Sequence, residues 1–333
     1  MKFSNCILDF LKNWLLAVAM STGTVIYLLF ANVELLSPLK PTFIALAETL
    51  MPMVIFAMLF FTFCKINMHD LKPRRWHAET LVLQIVMSMA FALLVITFAE
   101  PDSFADLVGE GIIACLISPT ASAAAVVTGK LGGSAASLTS YTLESNIVSA
   151  VLITFICPLV HPMEGMHIIN AFSIVLVKVS ELLLLPFVMA VFVKHTWPSF
   201  HHKCASLKDI AFYLWGFSLT MVTGMTLRVV FANLNRPLVV LALVLGALVV
   251  CVAKFAFGRL IGGVTGKVDS ISAGQALGQK NTMFTIWMAL TYLNPIAAVA
   301  PGSYVLWQNI INSWELWHKA REDKRKAAGQ NQA

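Results

Sequence analysis

The chain has 333 residues, of which 58% are hydrophobic and 12% charged, and it carries a net charge of +6. Apolar runs of this density and length exceed what a soluble core needs, so the chain reads as an all-α, polytopic membrane protein. The positive charge collects in loops and is a topology signal, and no nucleic-acid partner follows from it.

In chain order, Lys2 and Lys12 flank an apolar stretch from about Trp14 to Phe30. That is longer than the ~7–15 residues of a signal-peptide core, so it is taken as the first span. Further spans are predicted at about 41–66, 77–98, 106–128, 134–159, 167–193, 209–231, 237–260, 270–293 and 297–317, about ten in all. Basic residues fall on alternate loops: Lys65, Lys72, Arg74 and Arg75; Lys130; Lys194, Lys203 and Lys208; Lys254, Arg259 and Lys267; then Lys319, Arg321, Lys324, Arg325 and Lys326 in the tail. The intervening loops hold only Lys40, Arg228 and Arg236. By the positive-inside rule both termini are cytoplasmic, in a multi-pass protein of the cell inner membrane.

The six cysteines are scattered without metal or redox spacing and read as small reduced hydrophobes. His201-His202-Lys203-Cys204 has some metal-ligand character but no second ligand pair, so it reads as a solvated loop. The other histidines lie near segment ends. Lys178 and Glu181 are spaced to pair along their own helix, and Glu48 and Glu110 read as interfacial.

The most informative stretch is Ala273-Gly-Gln-Ala-Leu-Gly278-Gln279-Lys280-Asn281-Thr282, a polar interruption with a lysine inside the ninth span. An ammonium at bilayer depth costs ~2.5–3.5 kcal/mol on insertion scales, so it persists where it faces a cavity, a partner or a substrate. Gly274 and Gly278 weaken the helix there, and a broken helix in hydrocarbon survives only when buried in protein or lining a cavity. Lys280 is therefore read as the floor of a binding site. A glycine-tolerant helix whose lysine snorkels to an interface is the competing reading.

The chain also repeats itself. Ser140-Tyr-Thr-Leu-Glu144-Ser-Asn146-Ile in the fifth span matches Ser303-Tyr-Val-Leu-Trp307-Gln-Asn309-Ile in the tenth. The two helices are five spans apart, an odd offset, which gives the two halves opposite topology. Each matching helix follows an interrupted one, at Ser118-Pro119-Thr120 and at Gly278 to Asn281. Paired interruptions at corresponding positions point to a transporter's central site.

Gln84 in the third span, Thr120-Ala121-Ser122 in the fourth, Gly278 and Asn281 in the ninth, and Pro301-Gly302 with Trp307-x-Asn309 in the tenth resemble the bile acid:sodium symporter family in order and spacing. Phe61 to Asp70, followed by Arg74 and Arg75, looks like that family's second-to-third loop. The resemblance implies two inverted five-helix repeats, residues 1–160 and 161–318, with a basic tail at 319–333. Helices one, two, six and seven would form a panel; three to five and eight to ten would form a core whose fourth and ninth helices break and cross. It implies alternating-access secondary transport of an organic anion of the carboxylate or sulfonate class, usually with sodium, and Gln84 in a sodium-binding role.

Departures from the family pattern shape the expected chemistry. Ala123 replaces an asparagine, Ala276 a glutamate and Lys280 a glutamine, so oxygens that a hard cation needs are lost. Gln84, Ser122 and Thr142 remain as candidate sodium ligands, too few for two sites beside a fixed positive charge. Sodium coupling is thus expected to be weak or absent, with the Lys280 ammonium standing in for an ion and a proton as the other coupling ion. No organic cofactor is implied. The expected binding set is Lys280, Asn281, Gln279, Thr120, Ser122, Gln84, Glu144, Asn146, Asn309 and Thr142. Glu144 is the expected partner of Lys280, either as a proton-sensitive coupling pair or as a static lock that leaves the site neutral.

Other classes lack their signatures. There is no Gly-x-Ser-Gly-type nucleophile loop with a histidine in another span, no pair of intramembrane aspartates, and no Walker motif. The chain is read as a non-enzyme, and the remaining alternative is a non-coupled channel or ligand-sensing receptor on the same fold.

Overall fold

The structure, a computed structural model, describes residues 18–65, 72–162, 165–207 and 210–330. The start of the first expected span, Cys6, part of the Phe61–Asp70 loop, Lys208 and Asp209 lie outside the described residues.

Every named element is helical. In chain order they are α1 (Val18–Asn32), α2 (Lys40–Phe63), α3 (Arg75–Phe98), α4 (Phe104–Ile117), α5 (Ala124–Leu131), α6 (Ala135–Val160), α7 (Ile168–Leu183), α8 (Leu185–Thr196), α9 (Pro198–Ser206), α10 (Ile210–Ala232), α11 (Pro237–Gly263), α12 (Lys267–Gly278), α13 (Thr282–Tyr292) and α14 (Val299–Gln330). Short 3-10 turns precede α2 and α14. Helix starts are fixed by ordinary caps: Ser103 accepts from the Asp106 N–H to open α4, and Ser134 from the Ser137 N–H to open α6.

The burial pattern identifies the solvent. Along α3 the buried residues are Trp76, His77, Thr80, Gln84, Ser88, Ala92 and Val95, one face at helical spacing, while Val82, Val86, Met89 and Leu93 are exposed. In α6, Ser137, Ser145, Asn146 and Ser149 are buried and Ile147, Val151 and Phe155 exposed. Polar side chains inside and apolar ones outside is the reverse of a water-soluble helix, and it marks a protein whose outer surface meets lipid. Backbone hydrogen bonding closes within each helix, as hydrocarbon demands. The protein is a helical membrane-spanning protein.

Each expected span is matched by a helix or a helix pair, but they do not all cross as single rods. Among the described residues, five helices are individually long and apolar enough to span, within α2, α3, α6, α10 and α11, and the pair α7–α8, bent by 45°, makes a sixth. The fourth and ninth expected spans are broken pairs, α4 with α5 and α12 with α13. The tenth, α14, runs 32 residues, roughly 48 Å at 1.5 Å per residue, so its basic end extends beyond a core of about 30 Å.

Packing holds the broken helices against long ones. Helix α11 lies along α12, α14 and α4, and α3 along α4 and α6. The α11–α12 approach is close at Gly258, where a Cβ would collide with the Ala273 carbonyl. A Cβ at Gly278 would enter the ring of Phe255, so the residue that ends α12 must be glycine for α11 to pack there.

Candidate functional site: the crossing of two broken helices

Pro119 has no N–H to offer and disfavours helical backbone in the residue before it. Ser118 accordingly turns to φ −57°, ψ 137° and α4 stops at Ile117. In the other half, Gln279 is extended at φ −91°, ψ 108° after Gly278, and Asn281 restarts the chain by accepting from the Phe284 N–H. The two breaks meet. Thr120 and Lys280 form an antiparallel bridge, with the Ala121 N–H donating to the Gln279 carbonyl at 3.0 Å and the Asn281 N–H to the Pro119 carbonyl at 2.9 Å.

Backbone groups freed by the breaks find side chains from α6 and α14. Ser145 Oγ accepts from the Thr120 N–H at 3.1 Å, and Gln308 Oε1 accepts from the Lys280 N–H at 2.9 Å. Ser145 and Gln308 hold the same place in the two matching segments of the sequence, and each serves the same backbone atom of the bridge. The register of the internal match could have pointed to Gln308, which is absent from the expected set. Thr120 Oγ1 donates to the Ala276 carbonyl at 2.7 Å, and the Tyr304 hydroxyl to the Gly278 carbonyl at 2.7 Å.

Lys280 is buried, 1% exposed, and its Nζ donates to Gln84 Oε1 at 2.9 Å. Gln84 in turn donates to the Ser118 carbonyl and to Ser149 Oγ, both at 3.3 Å. A second buried lysine is a residue that the sequence reading missed. Lys254 of α11, counted there as a loop cation, is 0% exposed and its Nζ donates to the Cys115 and Leu116 carbonyls, each at 2.8 Å. Both lysines thus reach the end of α4, Lys280 by way of Gln84 and the Ser118 carbonyl and Lys254 on the Cys115 and Leu116 carbonyls. Among the described residues, the ion pairs join neither lysine to a carboxylate.

The expected pairing of Lys280 with Glu144 is therefore corrected. Glu144 Oε1 lies 3.0 Å from His77 Nδ1 and its side chain is 31% exposed. His77 is buried and also contacts Ser137 Oγ at 2.9 Å, so the histidines are not all peripheral. Glu110, read as interfacial, is 1% exposed and meets partners at helix ends: it contacts His161 Nδ1 at 2.8 Å and accepts from the Asn294 N–H. Lys178 and Glu181 pair along their own helix as expected, at 3.4 Å.

The rest of the expected set divides. Gln279, Lys280, Asn281, Thr120 and Gln84 are joined by the crossing's hydrogen bonds. Among the described residues, Ser122 Oγ and Gln279 Oε1 are buried without a hydrogen-bond partner. Asn146 donates to the Leu183 carbonyl of α7 at 3.5 Å, leaving its Oδ1 unpartnered. Thr142 and Asn309 bond back to their own helices, at the Leu138 and Val305 carbonyls. Of the three candidate sodium ligands, Gln84 Oε1 already accepts from Lys280, and the Thr142 hydroxyl donates to its own helix. Among the described residues no group of His, Cys, Asp or Glu is arranged to hold a metal. In α9, burial raises the Cys204 thiol above its ordinary value, which disfavours a thiolate ligand there.

No protein-family model matches the chain, and no curated protein matches it significantly.

Proposed function

We propose that this protein is a secondary transporter of a small organic anion, of the kind the bile acid:sodium symporter resemblance implies, working by alternating access without sodium. The observation that carries the reading is that two lysines buried at the crossing, Lys280 on Gln84 and Lys254 on the α4 carbonyls, are joined to no carboxylate among the described residues. Like charges side by side disfavour each other, and an anion drawn to them lowers that cost. The helix starts at α5 and α13 also point away from the crossing, so their positive dipole ends face it. A carboxylate or sulfonate is the solute this electrostatics favours.

The inverted-repeat reading draws support from Ser145 and Gln308, matched in sequence and matched in the bond each makes. In that reading α1, α2, α7–α8 and α10 form the panel, and α3–α6 with α11–α14 form the core that moves against it. Lys280 supplies to Gln84 the positive charge that an ion supplies in sodium-coupled relatives. The protein is placed in the inner membrane as part of this reading, the charge distribution of the loops supports cytoplasmic termini, and a proton is the coupling ion that this site leaves open. Counterflow in proteoliposomes tests the class: preloaded carboxylate should accelerate entry of labelled carboxylate, whereas a channel or a receptor gives no exchange.

A further inference from the structure

We propose that Lys254 is a built-in cation at the carboxyl end of α4, permanently filling a place where an exchangeable ion would otherwise sit. Helix α4 stops inside the protein, which leaves its last carbonyls without intrahelical partners and concentrates partial negative charge at its end. Three of those carbonyls are met by side chains. The Ser118 hydroxyl takes Ala114 O at 2.7 Å, and Lys254 Nζ takes Cys115 O and Leu116 O at 2.8 Å each. The carboxyl ends of half-helices inside transporters are where coupling cations bind, on unwound carbonyls. Here an ammonium reaches the same kind of oxygens from a neighbouring helix and cannot leave.

The placement is built by α11 as a whole. Lys254, Phe255 and Gly258 are buried on the side that faces the broken helices. Phe255 sits over Gly278 at the end of α12, and Gly258 lies against the Ala273 carbonyl. One helix thus holds the inner ends of both half-helices, α4 through charge and α12 through packing. A lysine that merely snorkelled would direct its amine to the interface; this one is fully buried, on two main-chain oxygens.

The consequence for transport rests on the reading of the crossing as an anion site; the cation substitution does not. The test uses purified full-length protein in detergent, with Lys254→Ala leaving the two carbonyls and the space of the side chain. Thermal unfolding followed by tryptophan fluorescence is compared in methylammonium, sodium and choline chlorides at equal ionic strength. For Lys254→Ala, methylammonium or sodium should raise Tm by roughly 2–4 °C over choline, and wild type should not respond. If neither cation moves the variant, or if wild type moves equally, Lys254 does not stand in for an ion and the proposal is wrong. Should Lys254→Ala not be recovered folded, Lys254→Ser, equally short, takes its place under the same criterion. Anion uptake measured in parallel keeps the two readings apart. A cation-dependent Tm without uptake defeats the transporter reading alone, and uptake without a cation-dependent Tm defeats this one alone.

Discussion

Replacing Gln308 by alanine removes the acceptor of the Lys280 N–H at the bridge, a bond of 2.9 Å in a buried setting. The backbone that carries this N–H is held on both sides, with the Asn281 N–H on the Pro119 carbonyl and the Gln279 N–H on the Gln275 carbonyl. An unsatisfied buried donor costs about 1–3 kcal/mol, which for a chain of this size corresponds to a fall in Tm of roughly 1.5–4 °C. Ser145→Ala should act the same way through the Thr120 N–H. Because the two residues brace opposite sides of one bridge, the double variant should depart from additivity by about 0.5–3 kcal/mol. A thiol-reactive dye suits the assay, since Cys64, Cys115, Cys157, Cys204 and Cys251 are buried and free. A shift of less than about 1 °C for both single variants would mean that these side chains do not hold the crossing.

Glu144→Gln should leave anion affinity within about twofold of wild type and lower stability by roughly 0.5–1.5 kcal/mol, because its partner is His77; saturation kinetics and thermal unfolding read the two effects. Gly258→Leu should destabilise by about 1–3 kcal/mol or more by forcing α11 from the Ala273 carbonyl, seen as a lower Tm or as loss of folded protein on size exclusion. Trypsin should cut the basic end of α14 between Lys319 and Lys326 in inside-out vesicles and spare it in right-side-out ones; the reverse pattern would invert the assigned topology.

The two breaks were legible because their causes are local. Pro119 forces Ser118 out of the helix, and the Gly278-Gln279-Lys280-Asn281 run both weakens a helix and supplies Asn281 as the cap of the next one. Charge partners were not legible, because pairing is decided by which helix faces which. Glu144 and Lys280 both read as buried charges of opposite sign, yet the packing of α3 on α6 gives Glu144 to His77 and Lys280 to Gln84. Lys254 was taken for a loop residue because it lies close to Arg259 and Lys267, and charge clustering alone assigns no depth. A signal was present: Lys254, Gly258 and Gly262 are spaced by four, so the lysine shares the small-residue face that packs inward.

The account turns on Lys280 as the charge that replaces sodium and attracts the anion. The most direct measurement is carboxylate uptake into proteoliposomes, with sodium and choline exchanged at fixed pH, for wild type and Lys280→Gln. The account predicts saturable uptake by wild type that changes less than about twofold between the two cations. For Lys280→Gln it predicts an affinity loss of roughly tenfold, about 1.4 kcal/mol, together with a gain of sodium dependence. Steep sodium dependence in wild type, or unchanged affinity and sodium response in a folded Lys280→Gln, would contradict it.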